Sequence, residues 1–263
     1  MLPHSISTLF NRLAGPPLIA AFLGFAVCPA AELRPLSTDR PDVTESPHTV
    51  DAGHFQFEME LANWSRDGSN REFSLGELNT KIGLNPSTDL QLVLPFYTRV
   101  RDGDEGFGDV QIRLKHNLWG NGGDGPTALA LMPYIKLPTA NGDLGNDEFE
   151  GGMIIPFGFE GPAGWNFGIQ GVLDIEADDD DSGHHLAVLA SATGSHALTE
   201  NTAMFLELVG VLSAESDSDG EAYFNTGVTW APTPTWQLDG GIRVGLTNSS
   251  TDFTPFLGVS TKF

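Results

Sequence analysis

The fold class the sequence predicts is all-β, a closed, transmembrane antiparallel up-and-down β-barrel of about 12 strands. Three observations carry it. Segments of about ten residues alternate apolar and polar side chains, the pattern of a strand with unlike faces. Turn-forming residues separate the segments at near-even spacing, and the connections alternate between longer acidic loops and shorter, mostly neutral turns.

Taken in order, the strands are predicted at 54–64, 73–84, 88–100, 109–119, 127–137, 149–159, 165–175, 185–198, 202–213, 222–231, 235–246 and 253–263. In the first, Phe55, Phe57, Met59 and Leu61 alternate with Gln56, Glu58 and Glu60. The third places Leu90, Leu92, Leu94 and Phe96 opposite Gln91, Tyr97, Arg99 and Arg101. The fourth is the clearest: Val110, Ile112, Leu114 and Leu118 alternate with Asp109, Gln111, Arg113, Lys115 and Asn117. In the last, Phe256, Gly258, Ser260 and Lys262 share one face, and Leu257, Val259, Thr261 and Phe263 the other. Each segment is close to the ~9 to 11 residues a tilted strand needs to cross a bilayer.

The odd-numbered connections include SRDGSNRE, PTANGDLGNDE and EADDDDSG, and the even ones NPST, EGPAG, TEN and PTPT. That asymmetry fits outer loops against periplasmic turns. Trp119, Trp165, Trp230 and Trp236 fall at strand ends on the short-turn side and Trp64 at the opposite side, positions suited to interfacial girdles. Strict alternation turns Trp64 and Trp119 into the lumen unless a bulge shifts the phase. A secreted β-sandwich or lipocalin-like barrel also alternates. Strand number, loop asymmetry, Trp placement and the terminal Phe263 favour the membrane barrel.

Residues 1–30 read as a signal peptide, with Arg12, the apolar run PPLIAAFLGFAV and the small-residue zone CPAA. Val27 before Cys28 does not suit a lipid-attachment motif. Without that leader the chain carries 12 basic against 35 acidic residues, a balance that disfavours nucleic acid as a partner. The domains are then 1–30, a periplasmic or lumen segment at 31–52, and the barrel at 53–263.

The stretches STDRPDVTESPHTVDAGHFQFEMEL, GFGDVQIRLKHNLW, YIKLPTANGD and LDGGIRVGLT together resemble the family of outer-membrane transporters named for the meta-pathway of phenol degradation. The likeness runs from about Leu36 to Phe263, and its TDRPDxTES-type opening is the most specific part. It implies a bacterial outer-membrane channel or transporter for passive uptake of small, often aromatic, molecules. The terminal Phe263 resembles the signal read by the barrel assembly machinery, with Thr261 departing from it. The expected partners are therefore outer-membrane lipid and lipopolysaccharide, that machinery, and a small solute.

Alternation points Glu58, Glu60, Lys81, Arg99, Asp109, Arg113, Lys115, Glu150, Asp174, Glu207, Asp239 and Arg243 inward. Such charges either fill the barrel with hydrogen bonds or form a selective constriction. Arg99, Arg113 and Lys115, on neighbouring strands, are the candidate site for attracting carboxylates or phenolates. STDRPDVTESP, with prolines that suit neither strand nor helix, is expected at the periplasmic mouth, where Asp39, Arg40, Asp42 and Glu45 pair with lumen charges. A solvated tail is the plainer alternative.

No cofactor or metal is implied. ESDSDGE at 215–221 begins like a calcium loop, but its twelfth position is Thr226, and the DDDD run at 178–181 suits a solvated loop. His116, His184, His185 and His196 lack a serine at defensible spacing, so a lipid hydrolase is a weaker alternative, as is a non-conducting structural or surface-binding barrel.

Overall fold

The computed structural model describes residues 33–263 except 124, 179–182 and 217. The expected signal peptide, with Arg12 and Cys28, lies outside the described residues, as do most of the DDDD run and Asp217 of ESDSDGE.

The strands are β1 (Phe55–Asp67), β2 (Asn70–Asn85), β3 (Thr88–Val100), β4 (Glu105–Gly106), β5 (Val110–Trp119), β6 (Thr127–Leu137), β7 (Glu150–Glu160), β8 (Trp165–Ala177), β9 (His184–Ala197), β10 (Thr202–Ser213), β11 (Glu221–Thr233), β12 (Trp236–Gly245) and β13 (Phe253–Lys262). β4 is a two-residue addition to β3. The other twelve each pair antiparallel with their neighbours in the chain, and β1 pairs with both β2 and β13, so the ring is closed. Closure satisfies every strand edge, which an open sheet leaves unpaired.

Strand bounds fall within three residues of those alternation predicts. One predicted loop is corrected: within SRDGSNRE, Ser65, Arg66 and Asp67 pair with Glu72, Arg71 and Asn70, leaving only Gly68 and Ser69 in the turn. The residues are polar because they extend past the apolar band, and polarity alone does not distinguish strand end from loop.

The apolar side chains stand on the outer face, Leu61 at 44 % exposure and Leu173 at 50 %, while Gln56, Glu58, Lys81, Gln91 and Lys115 are almost fully buried inside. This inverts a soluble barrel, whose charges face water. Tryptophan resolves the phase question. The register of β1 against β13 shifts between Glu60 and Ala62, and that of β5 against β6 between Asn117 and Trp119. Trp64 and Trp119 accordingly stand on the outer face, exposed by 37 % and 48 %.

The first shift runs on through two more strands. Glu60, Glu77 and Pro95 occupy one row of paired positions and Ala62, Leu75 and Tyr97 another, and between them lie Leu61, Gly76 and Phe96. Leu61, Leu75 and Phe96 are all exposed on the outer face, so each strand there turns two successive residues outward. Gly76 takes φ +71°, and Phe96 lies over it. Below this row the inward residues of β1 are Gln56, Glu58 and Glu60; above it Asn63 turns inward, where it donates to Glu60.

Candidate functional site

Residues 34–52 lie inside the ring, held by side chains from strands all round it. Asp39 is the hub. Lys115 Nζ donates to its Oδ1 at 2.5 Å, Lys81 pairs with its Oδ2, and the Ser46 amide donates to Oδ1 at 3.0 Å. Burial would raise the Asp39 pKa, but the ammonium groups of Lys115 and Lys81 overcome it and hold the carboxyl well below the usual range. Glu58 Oε2 accepts from the amides of Asp39 and Arg40 at 2.9 and 3.0 Å, and Lys81 also pairs with Glu58.

Arg40 meets Asp239 at 2.9 Å and Glu60 at 3.3 Å, with its guanidinium 5.9 Å from the centre of the Phe256 ring. Room for it comes from Gly258, where an added Cβ would sit 2.3 Å from the guanidinium. Further along, the amides of Val43 and Thr44 donate to the Glu207 carboxylate at 2.9 and 2.7 Å, and the Thr44 hydroxyl and Asn225 amide donate to it at 2.6 and 2.7 Å. Four neutral donors thus serve a buried acid in place of a cation. Glu45 accepts from Arg113 at 2.9 Å, and its amide donates to Gln170 at 2.8 Å. At the short-turn end Asp51 pairs with Arg34 at 2.6 Å and Lys262 at 3.1 Å.

Asp42 differs from the rest. It has no cation partner among the described residues, and burial followed by the charge of Glu207 pushes its pKa up to about 7. Two cavities flank this turn. One of about 370 Å³ lies toward the short turns and includes Gly120, Gly123 and Glu160; one of about 330 Å³ lies toward the longer loops and includes Asn63, Glu77 and Arg243. Asp42 and Glu45 border both. The segment is therefore a septum across the lumen.

Of the residues expected inward, Glu58, Glu60, Lys81, Arg113, Lys115, Asp239 and Arg243 all contact this segment or the charges that hold it. Asp109 holds a loop instead, accepting from the amides of Thr139 and Ala140 at 2.8 and 2.9 Å. The expected basic site is corrected. Arg99 lies beyond the row at Gly76, opposite outward-facing Phe73, and its side chain is 66 % exposed and 3.5 Å from Glu105. Arg113 and Lys115 are bonded to Glu45 and Asp39, so with residues 34–52 seated the described residues form no unpaired basic ring in the lumen.

Glu77 and Asp89 escape a reading restricted to the strongest stretches. Both were accessible by stepping two residues at a time, from Lys81 through Asn79 to Glu77 and from Gln91 back to Asp89. The histidines take structural partners: His116 bonds Thr88 at 2.8 Å, His184 the Phe149 carbonyl at 2.9 Å and His196 the Ala163 carbonyl at 3.1 Å. His185 meets Asp178 at 2.9 Å and lies with it and Glu215 in a loop-end cluster whose ligand atoms are within 4.8 Å.

A closed twelve-strand ring with an apolar outer face and a charged, occupied lumen defines a β-barrel of the membrane-spanning class. The chain belongs to the family described as "Putative MetA-pathway of phenol degradation", whose model matches residues 38–263. In fold it is similar to the COG4313 outer membrane channel from Pseudomonas putida F1, at TM-score 0.62 and 17 % identity over 86 % of this chain and 100 % of that one. It is also similar to the NanC porin, at TM-score 0.57 and 11 % identity over 80 % of this chain and 100 % of that one. No curated protein matches the chain in sequence.

Proposed function

We propose that the protein is a bacterial outer-membrane channel for passive passage of small polar solutes, held shut by its own residues 34–52. The observation that carries this reading is the septum: a polar lumen closed by a separate segment, attached through ion pairs and hydrogen bonds, is built to be reopened, whereas a purely structural barrel is closed more simply by apolar packing. The short turns, with Arg34, Asp51 and Lys262 beside them, face the periplasm, and the longer acidic loops face lipopolysaccharide. The outer apolar band meets lipid, with Trp119, Trp230 and Trp236 at one interface and Trp64 toward the other.

Phe263, 62 % exposed with its ring 5.9 Å from that of Phe57, is offered at the barrel's seam to the assembly machinery. The mechanism is non-enzymatic. Release of residues 34–52 would take Asp39 and Glu45 from Lys115 and Arg113, and the Arg40 guanidinium and the Val43 and Thr44 amides from Asp239 and Glu207, so the open lumen carries freed charges of both signs.

Planar-bilayer conductance of the refolded mature chain, with and without residues 32–52, tests the reading. The full chain should be nearly closed and the shortened one steadily open. Absence of current from both, with heat-modifiable barrel migration intact, would overturn it.

A further inference from the structure

The longer-loop cavity has unclaimed polar groups on its wall. Glu45 Oε2 and Asn79 Oδ1 are buried acceptors with no hydrogen-bond donor, and Arg243 Nε is a buried donor with no acceptor. Glu77 also lines the cavity, and among the described residues no hydrogen bond or ion pair claims its carboxylate. Glu77 and Asn79 are successive inward residues of β2, so they stand about 7 Å apart along one wall. Glu60, paired opposite Glu77 across the β1–β2 ladder, lies 3.4 Å from Arg243 Nη2. The three acceptors and the one donor thus border the same space.

Buried polar groups of native proteins find partners, and a group left without one is destabilising. At about 30 Å³ per water molecule, this cavity of about 330 Å³ has the volume of roughly ten waters, too large for one bare metal ion. The guanidinium groups of Arg40, Arg113 and Arg243 on its wall also oppose a divalent cation. A primary ammonium carries three N–H donors, matching the three unclaimed acceptors, and a carboxylate at its other end would satisfy Arg243.

We propose that this cavity binds a small zwitterion of the amino-acid class, its ammonium held by Glu45, Glu77 and Asn79 and its carboxylate by Arg243. The inference rests on the channel reading, since the solute must reach the lumen, and it names the solute class that reading leaves open. Glu77 is the residue that sets preference for the ammonium, and Arg243 distinguishes a zwitterion from a plain amine.

Titration calorimetry on the refolded mature chain in detergent tests this with 4-aminobutyrate, butylamine and butyrate. The expected order is 4-aminobutyrate, then butylamine about tenfold weaker, with no binding of butyrate. Glu77→Gln should weaken both amines by about tenfold or more, as loss of a charged hydrogen-bond acceptor does. Arg243→Gln should bring 4-aminobutyrate down to the level of butylamine and leave butylamine unchanged. Equal binding of butyrate, indifference to Glu77→Gln in a variant that retains heat-modifiable migration, or no binding of any probe would overturn the site and leave a water-filled space. Binding by a barrel that does not conduct after removal of residues 32–52 would overturn transport and keep the site; conductance without binding would do the reverse.

Discussion

The two sides of the lumen are built on opposite rules. Along β12, β13, β1, β2, β3 and β5 the inward residues are Asp239, Lys262, Glu58, Lys81, Gln91 and Lys115, all buried and most of them bonded to residues 34–52. Along β6, β7, β8 and β9 the inward faces carry Ala130, Met132, Ile154, Val172 and Ala187 beside the neutral Gln170 and Ser191, which bond the segment, and Met132, Ile154 and Val172 pack as a small core with Tyr134 and Leu189. The charged side holds a detachable segment and the apolar side stiffens the wall. Charge pairs are specific to a partner and costly to leave half-made, whereas apolar packing needs no partner beyond its neighbours.

Asp39→Asn is the sharpest way to break the charged side. It removes the shared counter-charge of Lys81 and Lys115, whose side chains are 2 % and 0 % exposed. Removing one partner of a buried pair costs about 3–5 kcal/mol, and here the cost falls on seating of the segment. Single-channel recording should therefore show the full-length variant conducting like the shortened chain.

Met132→Ala breaks the other side. The side chain is fully buried, and truncation should cost about 2–5 kcal/mol. The loss should appear as a lower midpoint of barrel unfolding, followed by heat-modifiable migration, while closure at neutral pH stays as in the parent chain. A conducting Met132→Ala barrel would mean the two sides are not separable.

Proton concentration probes the seam between them. The Asp42 carboxyl has a raised pKa of about 7 when the segment is seated, so the seated state binds a proton that the released segment gives up. Its contribution to seating is full below the ordinary carboxylate pKa and is lost as pH rises through about 7. Asp39 has the opposite sign: its contribution is present above the ordinary range and lost only in strong acid. Glu45, pushed up to about 8 by burial and the charge of Asp39, has the same sign as Asp42, so conductance of the full chain should rise between about pH 5 and pH 9, and Asp42→Asn should leave only the upper part of that rise.

Arg99→Ala should do least. Its contact with Glu105 is exposed, and such pairs contribute about 0–1 kcal/mol. Ion preference of the shortened channel should be unchanged; a clear shift would return Arg99 to the lumen.

The charged side was the more legible one in the sequence. In VQIRLKHNLW each inward residue is polar between apolar neighbours, so Arg113 and Lys115 are assigned by counting. In TALALMPYIKL both faces are largely apolar, and the inward Ala130 and Met132 are not distinguishable from outward Leu129 and Leu131 by alternation. Arg99 was misplaced because a phase change is a property of paired strands, and its signal, a glycine at 76 in an otherwise regular strand, is shared with many harmless glycines. The partners of STDRPDVTESP were legible only as charges. That Asp39 would meet two lysines while Asp42 met none depends on distances across the ring, which spacing along the chain does not contain.

The row through Leu61, Gly76 and Phe96 behaves like a dislocation line in a crystal: it enters as a mismatch against β13, crosses β1, β2 and β3 in step, and ends where β4 rather than β5 pairs with the upper part of β3. Directly opposed residues of an antiparallel pair share a face. Deleting Leu61 alone would restore strict alternation in β1 and leave Trp64 outward, but Leu75 and Gly76 of β2 would then oppose the single residue Ala62, a new bulge in the β1–β2 ladder. Removing the three residues together would restore the match among β1, β2 and β3. Length changes in this part of the wall are therefore smooth in coordinated sets and leave a bulge when made singly, so descendants of this barrel shorten or lengthen here without a new irregularity only by crossing several strands at once.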